Sequence, residues 1–197
     1  MINSLIAKIK GFLLAPVKTF QQTRDDEPKE VFTYFVILLF VYSLLSAILT
    51  TIGTEGMQNG ILPVLRGVFL LFFALFIGFF IASVIFAAWL HLVVYLFGGR
   101  NGIMQTTKAL FYGNTPTFLF GWIPVIGIFF SIWALILSIL GLRELQEISL
   151  EKSTTACVIA VVIPIIALVF LGLFLFINLI VSSGMDPAVL SPYFKKI

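Results

Sequence analysis

The chain alternates long apolar runs with short polar breaks. Residues 2–20, INSLIAKIKGFLLAPVKTF, set Ile2, Leu5, Ile6, Ile9, Phe12 and Leu13 on one helical stripe, with Lys8 and Lys10 off it. This segment is too short and too charged to span a membrane. It predicts an N-terminal amphipathic helix, lying in the headgroup layer or packed under a bundle, and ended by Pro16. QQTRDDEPKE follows, a linker in which Asp25, Asp26 and Glu27 oppose Arg24 and Lys29. A solvated course is expected for such a charge run.

Apolar runs then follow in succession. Residues 32–52 are uncharged, and about 20 residues suffice to cross the hydrocarbon. Ser43, Ser46, Ala47 and Thr50 give that run a face suited to helix contact. Residues 65–97 carry one charge, Arg66, and no internal turn signal. At about 1.5 Å per residue the run is near 50 Å long, against a core of about 30 Å. It reads as one tilted or protruding helix, with Ala74, Gly78 and Ala82 repeating every four residues. Residues 111–120 form a short third span, with Thr106 and Thr107 as candidate caps before it and a Trp122-Ile123-Pro124 return after it. Residues 125–142 form the fourth. Gly127, Ser131, Ala134, Ser138 and Gly141 step along it by four and three, a seam for close helix packing. In the loop RELQEISLEKST and just before it, Leu142, Leu145, Ile148 and Leu150 are expected on the membrane surface. Residues 157–181 form the fifth span, with Pro164 inside it.

The pattern predicts an all-α fold: a polytopic membrane helical bundle of five transmembrane helices plus the N-terminal amphipathic helix. Residues 1–31 form the interfacial helix and charged linker, 32–182 the membrane domain and 183–197 a polar tail.

Composition agrees. The chain is 60% hydrophobic and 11% charged, where soluble domains carry about 25% charged residues. Its mean hydropathy is +1.14. Of the Lys and Arg residues, nine fall in the N-terminal segment and the loops around Arg100, Lys108, Arg143 and Lys152, and three (Arg66, Lys195, Lys196) on the other side. That asymmetry predicts a cytoplasmic N-terminus and a C-terminus on the opposite face. The first charge-free apolar stretch starts after Phe32, so no signal peptide is expected. The single cysteine, Cys157, allows no internal disulfide.

The chemistry is sparse. His91 stands without a cysteine or second histidine, HExxH does not occur, and no acids pair within the apolar runs. GGRNG is a turn signal rather than a phosphate loop. No catalytic residue, metal or cofactor is expected, and the chain does not read as an enzyme. The candidate interior polar and packing site is His91, Tyr112, Asn114, Thr115 and Pro116. Pro116 deprives the carbonyl near Tyr112 of its helix donor, and Asn114 brings an amide that lipid cannot satisfy. Asn114 and Thr115 are placed to meet the freed carbonyls. Turning the break inward, toward the His91 end of the second helix and shielded by the second and fourth, resolves both problems.

APVKTF (residues 15–20), HLVVYLFGGRNGIMQTTKALFYGNTP and WIPVIG, in that order, resemble the Yip domain family of Ypt/Rab-GTPase-interacting integral membrane proteins. Pro16, Phe20, Gly98, Gly99, Tyr112, Pro116 and Pro124 carry the resemblance, which extends over residues 16–181. It implies a cytoplasmic N-terminus, five spans and no enzymatic activity. Eukaryotic members act in vesicle trafficking and membrane shaping. The short N-terminal region looks more like the short prokaryotic-type members.

The expected function is therefore a non-enzymatic membrane scaffold or adaptor in membrane organisation or trafficking-like processes. The alternative is a small-solute transporter or channel built on the broken third helix. Expected partners are the lipid bilayer and other membrane proteins or a homo-oligomer, with a small GTPase by family analogy only and no nucleic acid.

Overall fold

The computed structural model describes residues 2–55 and 60–182; the polar tail lies outside them. Among these residues there are eight helices and no strand: α1 (Ile2–Leu14), α2 (Pro16–Gln22), α3 (Pro28–Glu55), α4 (Ile61–Leu96), α5 (Ile103–Gly113), α6 (Thr115–Phe120), α7 (Ile126–Gln146) and α8 (Leu150–Ser182). Four stretches are long and apolar enough to cross a membrane: Pro28–Thr54, Ile61–Leu96, Ile126–Gln146 and Leu150–Ile180. The third expected span is instead the pair α5–α6, neither member long enough to cross alone. Its helix begins already at Ile103, so Thr106 and Thr107 lie inside α5 rather than capping it.

Residues up to Cys157 form one compact unit. Within it α5 and α6 pack along α7, α3 packs along α4, and α3 and α4 also touch α5. Of the expected contact face of α3, Ser43 and Ala47 are buried and Ser46 is half-buried, but Thr50 is exposed. Pro16 both ends α1 and opens α2, where its missing N–H costs nothing. α1 and α2 are part of the unit. Phe12 and Phe20 are fully buried, and α2 lies against α7. The linker after α2 is docked at particular residues and exposed elsewhere. Thr23 is buried with its hydroxyl turned back on the Thr19 and Phe20 carbonyls, and Asp26 is largely covered where it meets Lys8 and Tyr112, while Asp25, Glu27 and Lys29 are exposed as expected. Leu142, Leu145 and Ile148 are likewise buried in protein, not laid on the membrane surface; only Leu150 is exposed.

From Val158 on, α8 forms a second unit. Its side chains are apolar all round, with Pro164 inside the helix and the Asn178 amide turned back onto the Phe174 carbonyl at 2.8 Å. A side-chain amide satisfied by its own helix suits a lipid surround.

The seam on α7 divides. Gly127, Ala134, Ser138 and Gly141 are buried, but Ser131 is exposed, contrary to its expected place between helices. At about 100° per residue Ser131 lies some 40° to one side of Gly127. There it opens onto a shallow groove with Pro124, Ile128 and Ile132, and its hydroxyl returns to the Gly127 carbonyl at 2.9 Å. Close approach occurs instead at Gly113 and Gly141. A Cβ on Gly113 would lie 2.5 Å from Ser138 Oγ and 2.9 Å from Ser138 Cα. One on Gly141 would lie 2.7 Å from the Phe20 ring and 3.1 Å from Ala109 Cα.

The return between α6 and α7 is tight. Val125 has φ +66° and ψ −54°, and the Ile126 N–H donates to the Pro124 carbonyl at 2.7 Å. This is a γ-turn of the strained kind, centred on a β-branched residue. A left-handed backbone costs a non-glycine residue about 1–2 kcal/mol, and glycine's extra freedom costs about 0.5–1 kcal/mol. Val125 is exposed and gives up little packing. Val125→Gly should therefore stabilise the fold by roughly 0.5–1 kcal/mol, read as a raised midpoint of unfolding in detergent. A lowered midpoint would mean that the turn carries no strain.

Candidate functional site

The helix break is built as the residues require. Pro116 has no N–H to offer the Tyr112 carbonyl, and the Thr115 hydroxyl donates to it at 2.6 Å. The Asn114 amide donates to the Leu110 carbonyl at 2.9 Å. Since Thr115 gives its proton to Tyr112, the Tyr34 hydroxyl is the donor in its 2.8 Å bond to Thr115 Oγ1. Tyr112, Thr115 and Pro116 are buried and Asn114 half-buried. Thr115→Val removes one donor and one acceptor from a closed site and should cost about 1–3 kcal/mol. Asn114→Ala should cost less than about 1 kcal/mol, because the Leu110 carbonyl keeps the Asn114 N–H. Parallel unfolding curves of the two variants test this ordering.

An aromatic cluster surrounds the break. Phe12 stacks on Tyr112 with centroids 4.8 Å apart, Tyr34 meets Tyr112 edge-on at 5.0 Å, and Phe20 lies 4.9 Å from Phe12. These rings come from α1, α2, α3 and α5, so the N-terminal segment supplies half the wall of the break.

Polar contacts hold that segment down. The Tyr112 hydroxyl donates to Asp26 Oδ2, the atom that also pairs with Lys8 Nζ at 2.6 Å. The Lys108 ammonium, almost fully buried, donates to the Arg24 carbonyl. Gln105 donates to the same carbonyl at 3.1 Å. The Arg24 guanidinium reaches Glu147 and the Glu144 carbonyl, and Gln21 donates to Glu144 at 2.8 Å. One turn of linker thereby ties α5 and the end of α7 together.

His91 belongs to a different network. Its Nδ1 pairs with Thr106 Oγ1 at 2.9 Å, nearly two turns from Tyr112. Gln146 completes this network. Its amide donates to Thr106 Oγ1 at 2.9 Å and to the Gly102 carbonyl at 2.8 Å, while its Oε1 accepts from the Asn101 N–H at 3.0 Å. The structure therefore joins Tyr112, Thr115 and Pro116, keeps Asn114 at their edge, and sets His91 apart.

Sequence reasoning missed Lys8, Arg24, Asp26, Gln105, Lys108 and Gln146. A signal was present for one of them: Lys108 sits four residues before Tyr112, on the same face of a helix that was read as entering the membrane. Among the described residues no group of three or more His, Cys, Asp and Glu side chains is placed to hold a metal ion. The polar groups are arranged to bind segments of the chain to one another.

The family model described as "Yip1 domain" matches residues 10–183. Neither the curated proteins nor the solved structures contain a match to the chain.

Proposed function

The chain belongs to the Yip1 domain family, and from that premise we propose that it is a non-enzymatic membrane scaffold or adaptor, presenting its docked N-terminal segment to other membrane proteins or to a second copy. The observation that carries this reading is the set of contacts from Arg24 and Asp26 to α5 and α7, with Lys8 of α1 paired to Asp26. They make one composite surface from segments far apart in sequence. Around the break the polar side chains pair with one another, Tyr112 with Asp26 and Thr115 with Tyr34. The break at Pro116, on which a transporter reading rests, is filled by Tyr34, Thr115 and the Phe12 ring.

The proposal has two measurable parts. Proteoliposomes carrying the full chain should pass ions and small solutes no faster than protein-free vesicles. Capture from native membranes should recover a stoichiometric membrane protein or a second copy, and Arg24→Gln should lose it. Flux that depends on Tyr112 or Asn114 would replace the scaffold with a transporter. Loss-free capture by Arg24→Gln would detach the partner from this surface.

Five crossings belong to the same proposal, with α5–α6 as the third and α1 at the cytoplasmic headgroup layer. The nine-to-three distribution of Lys and Arg supports a cytoplasmic N-terminus and a C-terminus across the membrane. Reporter fusions at the two ends should report opposite compartments; the same compartment for both would leave an even number of crossings.

A further inference from the structure

A cavity of about 620 Å³ opens between α1 and the start of α3, within the 300–1,000 Å³ range usual for small-molecule sites. Its lining is graded along α3. Glu27 stands just before α3, Lys29 and Glu30 in its first turn, and Ile37 about 10–12 Å further along the helix, with Leu5 and Lys8 facing them from α1. The first membrane-crossing stretch starts at Pro28, so the charged end lies at the edge of the membrane and the apolar end points into it. An occupant matching this gradient is an amphiphile.

The charges narrow the choice. The lining holds two lysines and two glutamates. Lys8 is occupied by Asp26 at 2.6 Å and reaches Glu30 at 3.4 Å. Glu27 and Lys29 make no side-chain ion pair among the described residues. One unpaired carboxylate and one unpaired ammonium in a single cavity fit a ligand that carries both an ammonium and a phosphate. The carboxylates accept hydrogen bonds from a primary ammonium. A quaternary ammonium has no N–H to give and favours a cage of aromatic faces, whereas Tyr34 is the one ring in this lining.

We propose that this cavity binds the headgroup of a phosphatidylethanolamine lipid, its ammonium on Glu27 and Glu30, its phosphate on Lys29 and its first acyl carbons along Leu5 and Ile37. The site needs only the membrane setting and is independent of the scaffold role.

The test uses the purified full chain in vesicle-derived nanodiscs of equal phosphatidylethanolamine, phosphatidylcholine and phosphatidylglycerol, with lipid retained after detergent extraction counted by native mass spectrometry. Wild type should retain one phosphatidylethanolamine per chain, about tenfold over either other lipid, the scale of one charge-assisted hydrogen bond. The double variant Glu27→Gln, Glu30→Gln should lose that preference while melting as wild type, since both side chains are exposed. Ile37→Trp, which fills the apolar end, should abolish retention of all three lipids with its melting unchanged. Equal retention of the three headgroups by wild type, or an unchanged preference in the double variant, would overturn the assignment. So would displacement by soluble glycerophosphoethanolamine at concentrations equal to the lipid's, which would make the ligand a free metabolite-like headgroup instead of a lipid.

Discussion

Gly113→Ala should destabilise the bundle by about 3 kcal/mol or more, the upper end of what overpacking costs. The added methyl would come within 2.9 Å of the Cα and backbone N of Ser138, atoms that cannot swing away as a side-chain tip can. Relief requires α5 to separate from α7, and that contact also carries Ala109 against Gly141. The matched control is Gly78→Ala on α4. A Cβ there meets nothing within 4 Å, and alanine is favoured over glycine in a helix interior by roughly 0.5–1 kcal/mol. Gly78→Ala should thus be neutral or stabilising. Thermal unfolding of both variants in one detergent checks the pair. Equal midpoints would mean that α5 and α7 are not in backbone contact.

Asp26→Ala should cost about 2–3 kcal/mol, because it leaves the Tyr112 hydroxyl without an acceptor in a partly closed site and Lys8 with only Glu30, 3.4 Å away. Tyr112→Phe should cost about 1–2 kcal/mol, since the carboxylate keeps Lys8. The two losses should not add. Once Asp26 is gone the Tyr112 hydroxyl has no acceptor to lose, so the double variant should be less destabilised than the sum by about 1 kcal/mol. Asp25→Ala, one residue away and exposed, should change stability by less than about 0.5 kcal/mol. Matching effects at Asp25 and Asp26 would show that net charge in the linker matters and the docking does not.

The contrast between Asp25 and Asp26 marks the boundary of what the sequence could reveal. The lipid solvent imposes a strong demand on long stretches, so α3, α4, α7 and α8 were legible as apolar runs, and the 36-residue α4 was correctly read as undivided. The break at Pro116 was legible too, because proline's missing donor is a local fact; Thr115 meets the Tyr112 carbonyl as local chemistry requires. Contacts across 80 to 120 residues were not legible. RDDEPKE has the composition of a solvated run, and nothing within it distinguishes the acid that meets Tyr112 from its exposed neighbour. Ser131 failed for a related reason. Spacing groups residues on one broad face of α7, but Ser131 lies at an edge of that face, some 40° from Gly127, and which edge a neighbour covers is set by the packing of the other helices. His91 was grouped with Tyr112 because both flank one turn in sequence, while the register of α4 against α5 gives it Thr106 instead.

The buried Lys108 has a consequence for how the protein is made. Its ammonium is sheltered by a carbonyl of Arg24, synthesised more than 80 residues earlier. Until those two meet, α5 presents a lysine, two threonines and a glutamine to its surroundings, a poor candidate for leaving water unaided. The segment that holds Gln21 and Arg24 can dock only after α3, α4, α5, α6 and α7 have been made, because its partners Glu144 and Glu147 lie at the end of α7. Closure of this unit therefore joins segments far apart in sequence: the Arg24 carbonyl shelters the charge of α5 only once both are in place.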